Sequence, residues 1–105
     1  MAAKLLDACT MNIVIIEDSE LIRTQLMHII SSQPRLHVVG TAAEEVAAVR
    51  LILELQPDAV LLDLSLSPGS GLRVLQTIRE AGCAARVLIL TNTTEEAIKD
   101  ACHAQ

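Results

Sequence analysis

Three carboxylates stand where they could share one small volume. Glu17 and Asp18 follow an apolar run that ends at Ile16, and Asp63 follows a second apolar run that ends at Leu62. Carboxylates held close together raise one another's pKa values unless a cation lies among them. Oxygen ligands of this kind suit Mg²⁺, which takes one or two direct carboxylates together with water and phosphate oxygens. If the two runs are neighbouring strands, the sequence predicts a divalent-metal pocket.

The same residues could carry out phosphoryl transfer. Asp63 directly follows a buried run and is therefore the best-held acid, and a carboxylate beside Mg²⁺ can attack a phosphoryl group to give an acyl phosphate. Thr91 follows a later apolar run and could donate a hydrogen bond to a phosphoryl oxygen. The simpler alternative is that Asp18 caps a helix and Asp63 caps a turn. Acids at both strand ends favour the shared site.

Four short runs with strand character must position these side chains. They lie at residues 12–16, 36–40, 59–62 and 86–90. Continuously apolar stretches in the first and third runs predict strands buried on both faces, as in a parallel sheet between helices. In such folds, ligands bind at the carboxyl ends of the strands, which is where the acids and Thr91 stand.

Segments with helical periodicity separate and follow the four runs. Capping boxes at residues 41–44 and 93–96 predict helix starts, whereas Pro34 and Gly82 predict helix ends. The side chains predicted to face the core are Ile22, Leu26, Ile29 and Ile30, then Val46, Val49, Ile52 and Leu53, then Leu72, Leu75 and Ile78, and finally Ile98 and Ala101. Alternating strands and helices predict one doubly wound α/β domain.

The composition excludes several classes of function. The 105 residues include no Phe, Tyr or Trp, so a surface that stacks nucleic-acid bases on aromatic rings is excluded. Thirteen acids against eight scattered bases argue against direct binding of nucleic acid. The apolar runs are too short to cross a membrane, and the three cysteines lack paired spacing, which predicts reduced thiols in a cytoplasmic protein. The three histidines, which share no partner spacing, are expected on the surface.

Four motifs, in order, resemble the receiver domain of two-component response regulators. They are residues 13–19 (IVIIEDS), 56–63 (QPDAVLLD), 64–72 (LSLSPGSGL) and 87–92 (VLILTN). The resemblance covers residues 11–105 and leaves residues 1–10 as an N-terminal extension. It implies a flavodoxin-like, doubly wound parallel sheet with strand order 2-1-3-4. It also implies a cytoplasmic phosphorelay protein that is not itself an enzyme.

The resemblance implies a role for each site residue. Asp63 would accept the phosphoryl group from a sensor histidine kinase or a phosphotransfer protein. Glu17, Asp18 and Asp63 would bind Mg²⁺, and the backbone carbonyl of Ser65 would complete the metal shell. Thr91 would contact a phosphoryl oxygen and act as the switch residue.

The sequence departs from the family pattern at several points. The first acid is Glu17 rather than Asp, and the loop proline, Pro68, stands one place later than usual. No segment corresponds to the fifth strand and fifth helix, and the fifth-strand lysine has no counterpart among Lys4 and Lys99. An exposed fourth-strand edge would favour a homo-oligomer. Residues 1–10 either fold back over the gap or form a disordered tail, which deletion of the segment would distinguish.

Three alternative functions follow from the same residues. A pseudo-receiver would serve as an interaction or dimerisation module without phosphorylation, and the absence of the lysine favours that alternative. An aspartyl-phosphate phosphohydrolase would need a second acid two residues beyond Asp63, where Ser65 stands. A dinucleotide site would need a glycine-rich turn after the first strand, where residues 17–19 (EDS) stand instead. The receiver function is therefore favoured.

Overall fold

The fold is a parallel sheet with helices on both faces. The computed structural model describes residues 10–66 and 69–90. Its elements are β1 (Met11–Ile16), α1 (Glu20–Ser31), β2 (Leu36–Ala42), α2 (Glu45–Leu55), β3 (Ala59–Asp63), α3 (Gly71–Glu80) and β4 (Arg86–Leu90). The strands pair in the order β2-β1-β3-β4, which confirms the predicted doubly wound, flavodoxin-like topology. The helix predicted from residue 93 and nearly all of the 1–10 extension lie outside the described residues.

The sheet separates two apolar cores, as strands buried on both faces require. On one face, Val14 and Ile16 of β1 and Val60 and Leu62 of β3 pack against α2 and α3. On the opposite face, Ile13 and Ile15 pack against α1. Alternate side chains of one strand therefore anchor helices on opposite faces of the sheet, and the ends of β1 and β3 are held rigidly.

The capping box predicted at residues 41–44 was wrong because β2 extends over its first two residues. Thr41 pairs with Ile15 of β1, and β2 ends only at Ala42. The residue that caps α2 is Glu44, whose side chain makes no capping hydrogen bond. Pairing with a central strand therefore overrides the local helix signal, and α2 begins at Glu45.

Three apolar side chains predicted to face the core are exposed instead. Ile29 is 57 % exposed, Val46 is 67 % exposed and Leu72 is 51 % exposed. Ala48 and Val74 are fully buried in α2 and α3. Ala48 lies two residues beyond Val46, and Val74 lies two residues beyond Leu72, which is about 200° around each helix, so Val46 and Leu72 lie on the exposed side. Ile52 and Ile78 of the same two helices are buried, as predicted.

The predicted helix ends are confirmed. The helix α1 ends at Ser31, three residues before Pro34. After α3, Gly82 adopts a φ of +84°, a left-handed conformation that glycine tolerates at a helix terminus. His28 and His37 are exposed, as predicted. No helix in the described part of the chain has the length and apolar character needed to cross a membrane.

Candidate functional site

The topology brings the ends of β1 and β3 side by side. Ile16 is the last residue of β1, and it pairs with Leu62 of β3. Glu17 comes directly after that pair on one strand, and Asp63 comes directly after it on the other. Because parallel strands share a carboxyl edge, two residues separated by 46 positions in the sequence become neighbours at the end of the sheet.

The structure brings the three predicted carboxylates together. Glu17, Asp18 and Asp63 each offer a carboxylate oxygen, and these atoms lie within 4.8 Å of one another. Glu17 is 1 % exposed and Asp63 is 5 % exposed, while Asp18 is the most accessible of the three. Glu17 and Asp63 therefore form the buried part of the cluster, and Asp18 forms its accessible part.

Backbone N–H groups orient two of these carboxylates. Glu17 Oε2 accepts a hydrogen bond of 2.9 Å from the N–H of Ser19, and Asp63 Oδ1 accepts one of 2.9 Å from the N–H of Ser65. The Oγ atom of Ser19 caps α1 by accepting a hydrogen bond from the N–H of Ile22 at 3.3 Å. Ser19 therefore caps α1, and the alternative in which Asp18 is the cap was wrong. The turn contact suggested for Asp63 is present alongside the cluster.

Arg23 is a supporting residue that the sequence did not reveal. Its Nη1 atom donates a hydrogen bond of 2.8 Å to the backbone carbonyl oxygen of Glu17. The contact ties the first turns of α1 to the chain just after β1, so it fixes the backbone that carries Glu17. An arginine six residues beyond an acid belongs to no motif, and only the folded helix brings the two groups together.

Burial sets the electrostatics of the cluster. It raises the pKa of Glu17 from its ordinary value of 4.5 to about 7. The N–H of Ser19 works against this rise, while the neighbouring carboxyl groups of Asp18 and Asp63 add to it. The raised pKa of Glu17 is therefore mainly a consequence of its burial, with smaller contributions from the two neighbouring acids.

One oxygen of Glu17 lacks a partner. Among the buried side-chain oxygen and nitrogen atoms of the described residues, Glu17 Oε1 is the one that makes no hydrogen bond. An unpaired buried carboxylate oxygen is costly. A divalent cation would supply the missing partner and neutralise the crowded charges, and three carboxylates are suitable ligands for Mg²⁺. The residues present therefore fit a magnesium ion.

The remaining predicted site residues are placed only in part. Ser65 is exposed and lies two positions beyond Asp63, and coordination through its carbonyl stays a prediction. Thr91, Lys4 and Lys99 lie outside the described residues. Leu90, which precedes Thr91 in the sequence, pairs with Asp63, and its carbonyl oxygen accepts a hydrogen bond of 3.3 Å from the N–H of Leu64.

The start of α3 lies directly against the backbone of Asp63. The N–H of Gly71 donates a hydrogen bond of 3.2 Å to the carbonyl oxygen of Leu64. A Cβ atom on Gly71 would stand 2.2 Å from the carbonyl oxygen of Asp63 and 2.6 Å from Cα of Leu64. Only glycine fits this close approach, so Gly71 lets α3 begin beside the cluster.

Comparison with known proteins agrees with the resemblance to receiver domains. The sequence profile of the response regulator receiver domain matches residues 13–105. The oxygen regulatory protein NreC of Staphylococcus epidermidis is 41 % identical over 87 residues, which are 82 % of this chain and 40 % of that protein. The chain therefore spans less than half the length of this curated relative.

Solved structures show the same likeness. A LuxR-family two-component response regulator from Aurantimonas sp. SI85-9A1 is 30 % identical with a TM-score of 0.73, over 88 % of this chain and 69 % of that one. The signal receiver domain of the putative response regulator NarL from Mycobacterium tuberculosis is 26 % identical with a TM-score of 0.74, over 90 % and 77 % of the two chains.

Proposed function

Because this chain belongs to the response regulator receiver domain family, we propose that Asp63 accepts a phosphoryl group from the phosphohistidine of a sensor kinase or phosphotransfer protein. The observation that carries the proposal is the carboxylate cluster at the carboxyl ends of β1 and β3. Its oxygens lie within 4.8 Å of one another, and one buried oxygen of Glu17 has no hydrogen-bond partner. A buried carboxylate oxygen without a partner is costly, and a bound cation would supply that partner, so the cluster supports a metal-assisted role for Asp63.

In the proposed chemical step, the phosphoryl group passes from a nitrogen atom of phosphohistidine to an oxygen atom of Asp63. An Asp63 carboxylate oxygen forms a bond to phosphorus as the phosphorus–nitrogen bond of phosphohistidine breaks. The phosphoryl group becomes an acyl phosphate on Asp63, and the imidazole leaves with the electron pair of the broken bond and takes up a proton. The contact from the Ser65 N–H to Oδ1 fixes the rotation of the carboxylate, so its position is set before the donor arrives.

The proposed metal ligands are Glu17, Asp18, Asp63 and the backbone carbonyl of Ser65. Bound Mg²⁺ would neutralise charge on the phosphoryl oxygens during the transfer. The chain's own part is to hold the ligands: Arg23 fixes the backbone of Glu17, and the Ser19 N–H orients its carboxylate. The buried Oε1 atom of Glu17 supports this assignment, because it has no hydrogen-bond partner and a bound cation would supply one.

We further propose that the protein is located in the cytoplasm. We also assign the switch role to Thr91. Leu90 pairs with Asp63, so the chain that leads to Thr91 reaches the carboxyl edge of the sheet next to the phosphoacceptor. A hydroxyl at that edge would bond a phosphoryl oxygen once the acyl phosphate has formed. Replacing Thr91 with Ala is expected to leave phosphorylation possible while weakening the response of the surrounding surface, which amide chemical shifts would report.

We also propose that two copies associate along β4. In the part of the chain that the structure describes, β4 is an outer strand, and its side chains at Val87, Leu88 and Ile89 are only half-buried. An apolar outer strand is a template for pairing with another chain. Light scattering over a range of concentrations tests this proposal: a rise in mass toward that of a dimer is expected, and a monomer throughout would contradict it.

Phosphorylation is tested by intact mass after incubation with Mg²⁺ and a small acyl-phosphate donor. Wild type is expected to gain one phosphoryl group, and Asp63→Asn or removal of Mg²⁺ with a chelator is expected to abolish the gain. Asp58→Asn is the matched control, because Asp58 is an exposed acid just before β3 whose Oδ2 accepts a hydrogen bond of 2.8 Å from the Asn12 N–H. Asparagine retains that acceptor, so this variant should react like wild type.

The opposite result has an equally clear meaning. If folded wild type binds Mg²⁺ but gains no phosphoryl group, Asp63 is not a phosphoacceptor under these conditions. The domain would then be a pseudo-receiver that works as an interaction or dimerisation module. Circular dichroism of every variant confirms that a missing adduct does not reflect unfolding.

A further inference from the structure

The backbone that returns from the loop after Asp63 is held between two elements. This return segment comprises residues 69–71, which lead into α3. On one side it contacts the backbone of Asp63 and Leu64 through Gly71. On its other side it contacts α2, through a residue to which the receiver resemblance assigns no role.

That residue is Glu45, the first residue of α2. Its Oε1 atom accepts a hydrogen bond of 3.0 Å from the backbone N–H of Ser70. The backbone of Gly69 lies so close that a Cβ atom there would stand 2.5 Å from Cβ of Glu45. Gly69 also has a φ of +105°, a conformation that glycine adopts readily. The return segment is therefore fitted against Glu45 in both shape and hydrogen bonding.

The contact with Glu45 is connected to the phosphoacceptor by two consecutive residues. Ser70 is the N-cap of α3, and its Oγ atom accepts from the N–H of Arg73 at 3.5 Å. Gly71 follows and donates to the carbonyl oxygen of Leu64, one residue beyond Asp63. A displacement of Ser70 would thus be transmitted through Gly71 to the peptide that carries Asp63, because close-packed backbone transmits strain.

The carboxylate of Glu45 also faces a positive charge. Its Oε2 atom lies 3.6 Å from Nε of Arg73, whose side chain is 74 % exposed. An ion pair with so exposed a partner contributes little to stability. The acid also lies in the first turn of α2, where a negative charge is favourable for any helix. The hydrogen bond to Ser70 is the contact that these two general roles do not explain.

We infer that Glu45 is a positioning residue for phosphoryl transfer: it holds the return segment against the backbone of Asp63 and Leu64, and so fixes the phosphoacceptor from α2. The inference rests on the proposed function for the reaction itself. It places a determinant of the reaction rate 18 residues before Asp63, on a helix that contributes no ligand to the metal site. It also makes the start of α2 a place where a bound partner could change the reactivity of Asp63.

The test compares four proteins: wild type, Glu45→Ala, Glu45→Gln and Arg73→Gln. Glutamine keeps an oxygen that can accept the Ser70 N–H but removes the charge, and Arg73→Gln removes the ion pair alone. The rate of adduct formation with a small acyl phosphate at saturating Mg²⁺ is measured for each. Glu45→Ala is expected to react about fivefold to tenfold more slowly, the effect of one lost hydrogen bond. The two glutamine variants should stay within about twofold of wild type, less than such a loss would produce.

A second readout separates this inference from the proposed function. Amide chemical shifts of Asp63 and Leu64 are recorded for the same proteins with Mg²⁺ and no donor. Shifts that change in Glu45→Ala and not in the glutamine variants support positioning, even if no protein forms an adduct and the proposed function fails. Equal effects of Glu45→Ala and Glu45→Gln would assign the role to charge and overturn the inference. Wild-type rates and shifts in Glu45→Ala would also overturn it.

Discussion

Replacing Glu17 with Gln should stabilise the metal-free protein at neutral and higher pH. The carboxylate of Glu17 is almost completely buried, one of its oxygens has no hydrogen-bond partner, and its pKa is raised to about 7. Glutamine keeps an oxygen that can accept the Ser19 N–H, and it places an amide donor beside the acids instead of a third charge. The substitution therefore removes the cost of burying a charge, together with the smaller repulsion from Asp63, without removing the orienting contact.

The pKa gives both the size of the effect and its pH window. A rise from 4.5 to about 7 corresponds to roughly 3 kcal/mol at most. Because the folded state holds the Glu17 proton more tightly than the unfolded state, wild type loses stability as the pH rises from about 4.5 to about 7. Above this window the full penalty applies, and below it wild type and Glu17→Gln should be equally stable.

The assay is urea unfolding of both proteins across this pH range with a chelator present. Glu20→Gln is the control, since Glu20 is an exposed acid three residues away and should change the free energy of unfolding by less than about 1 kcal/mol. Adding Mg²⁺ should stabilise wild type more than Glu17→Gln and so narrow the gap. If Glu17→Gln were no more stable than wild type above neutral pH, the electrostatic description of the cluster would be refuted.

Two further predictions concern packing around the site. Gly71→Ala should lower the free energy of unfolding by about 2–3 kcal/mol, because the added Cβ would meet the backbone of β3. Gly82→Ala should lower it by only about 1 kcal/mol, because Gly82 has open space around it but a positive φ. Urea unfolding measures both changes. Ile52→Ala should cost about 3–4 kcal/mol because Ile52 is fully buried beneath the sheet, while Val46→Ala on the same helix should cost less than about 0.5 kcal/mol. Equal costs within either pair would contradict the packing described here.

The sequence was sufficient to predict the strands of the sheet because they are buried on both faces. A strand covered by helices on both sides must be continuously apolar, so the runs that end at Ile16 and Leu62 were recognisable without a structure. The predicted bounds of β4 match the observed strand. Since parallel strands end at one edge, the acids after β1 and β3 could be predicted to lie close together.

Prediction from the sequence failed where a contact between distant residues outweighed a local signal. Thr41 reads as a helix cap, but pairing with Ile15 keeps it in β2. The hydrogen bond between Ser70 and Glu45 joins residues 25 positions apart, and no spacing rule links them. Gly71 was recognised only as part of a motif, since its closeness to Asp63 depends on how α3 docks against β3.

The most direct test of the central claim identifies the atom that carries the phosphoryl group. Wild type is phosphorylated with a small acyl phosphate and Mg²⁺, then treated with borohydride, which reduces an acyl phosphate to an alcohol and leaves free carboxylates unchanged. Peptide mass spectrometry is expected to find the reduced side chain at position 63 and at no other acid. A reduced side chain at Glu17 or Asp18, or none in folded protein that binds Mg²⁺, would contradict the assignment of Asp63 as the phosphoacceptor.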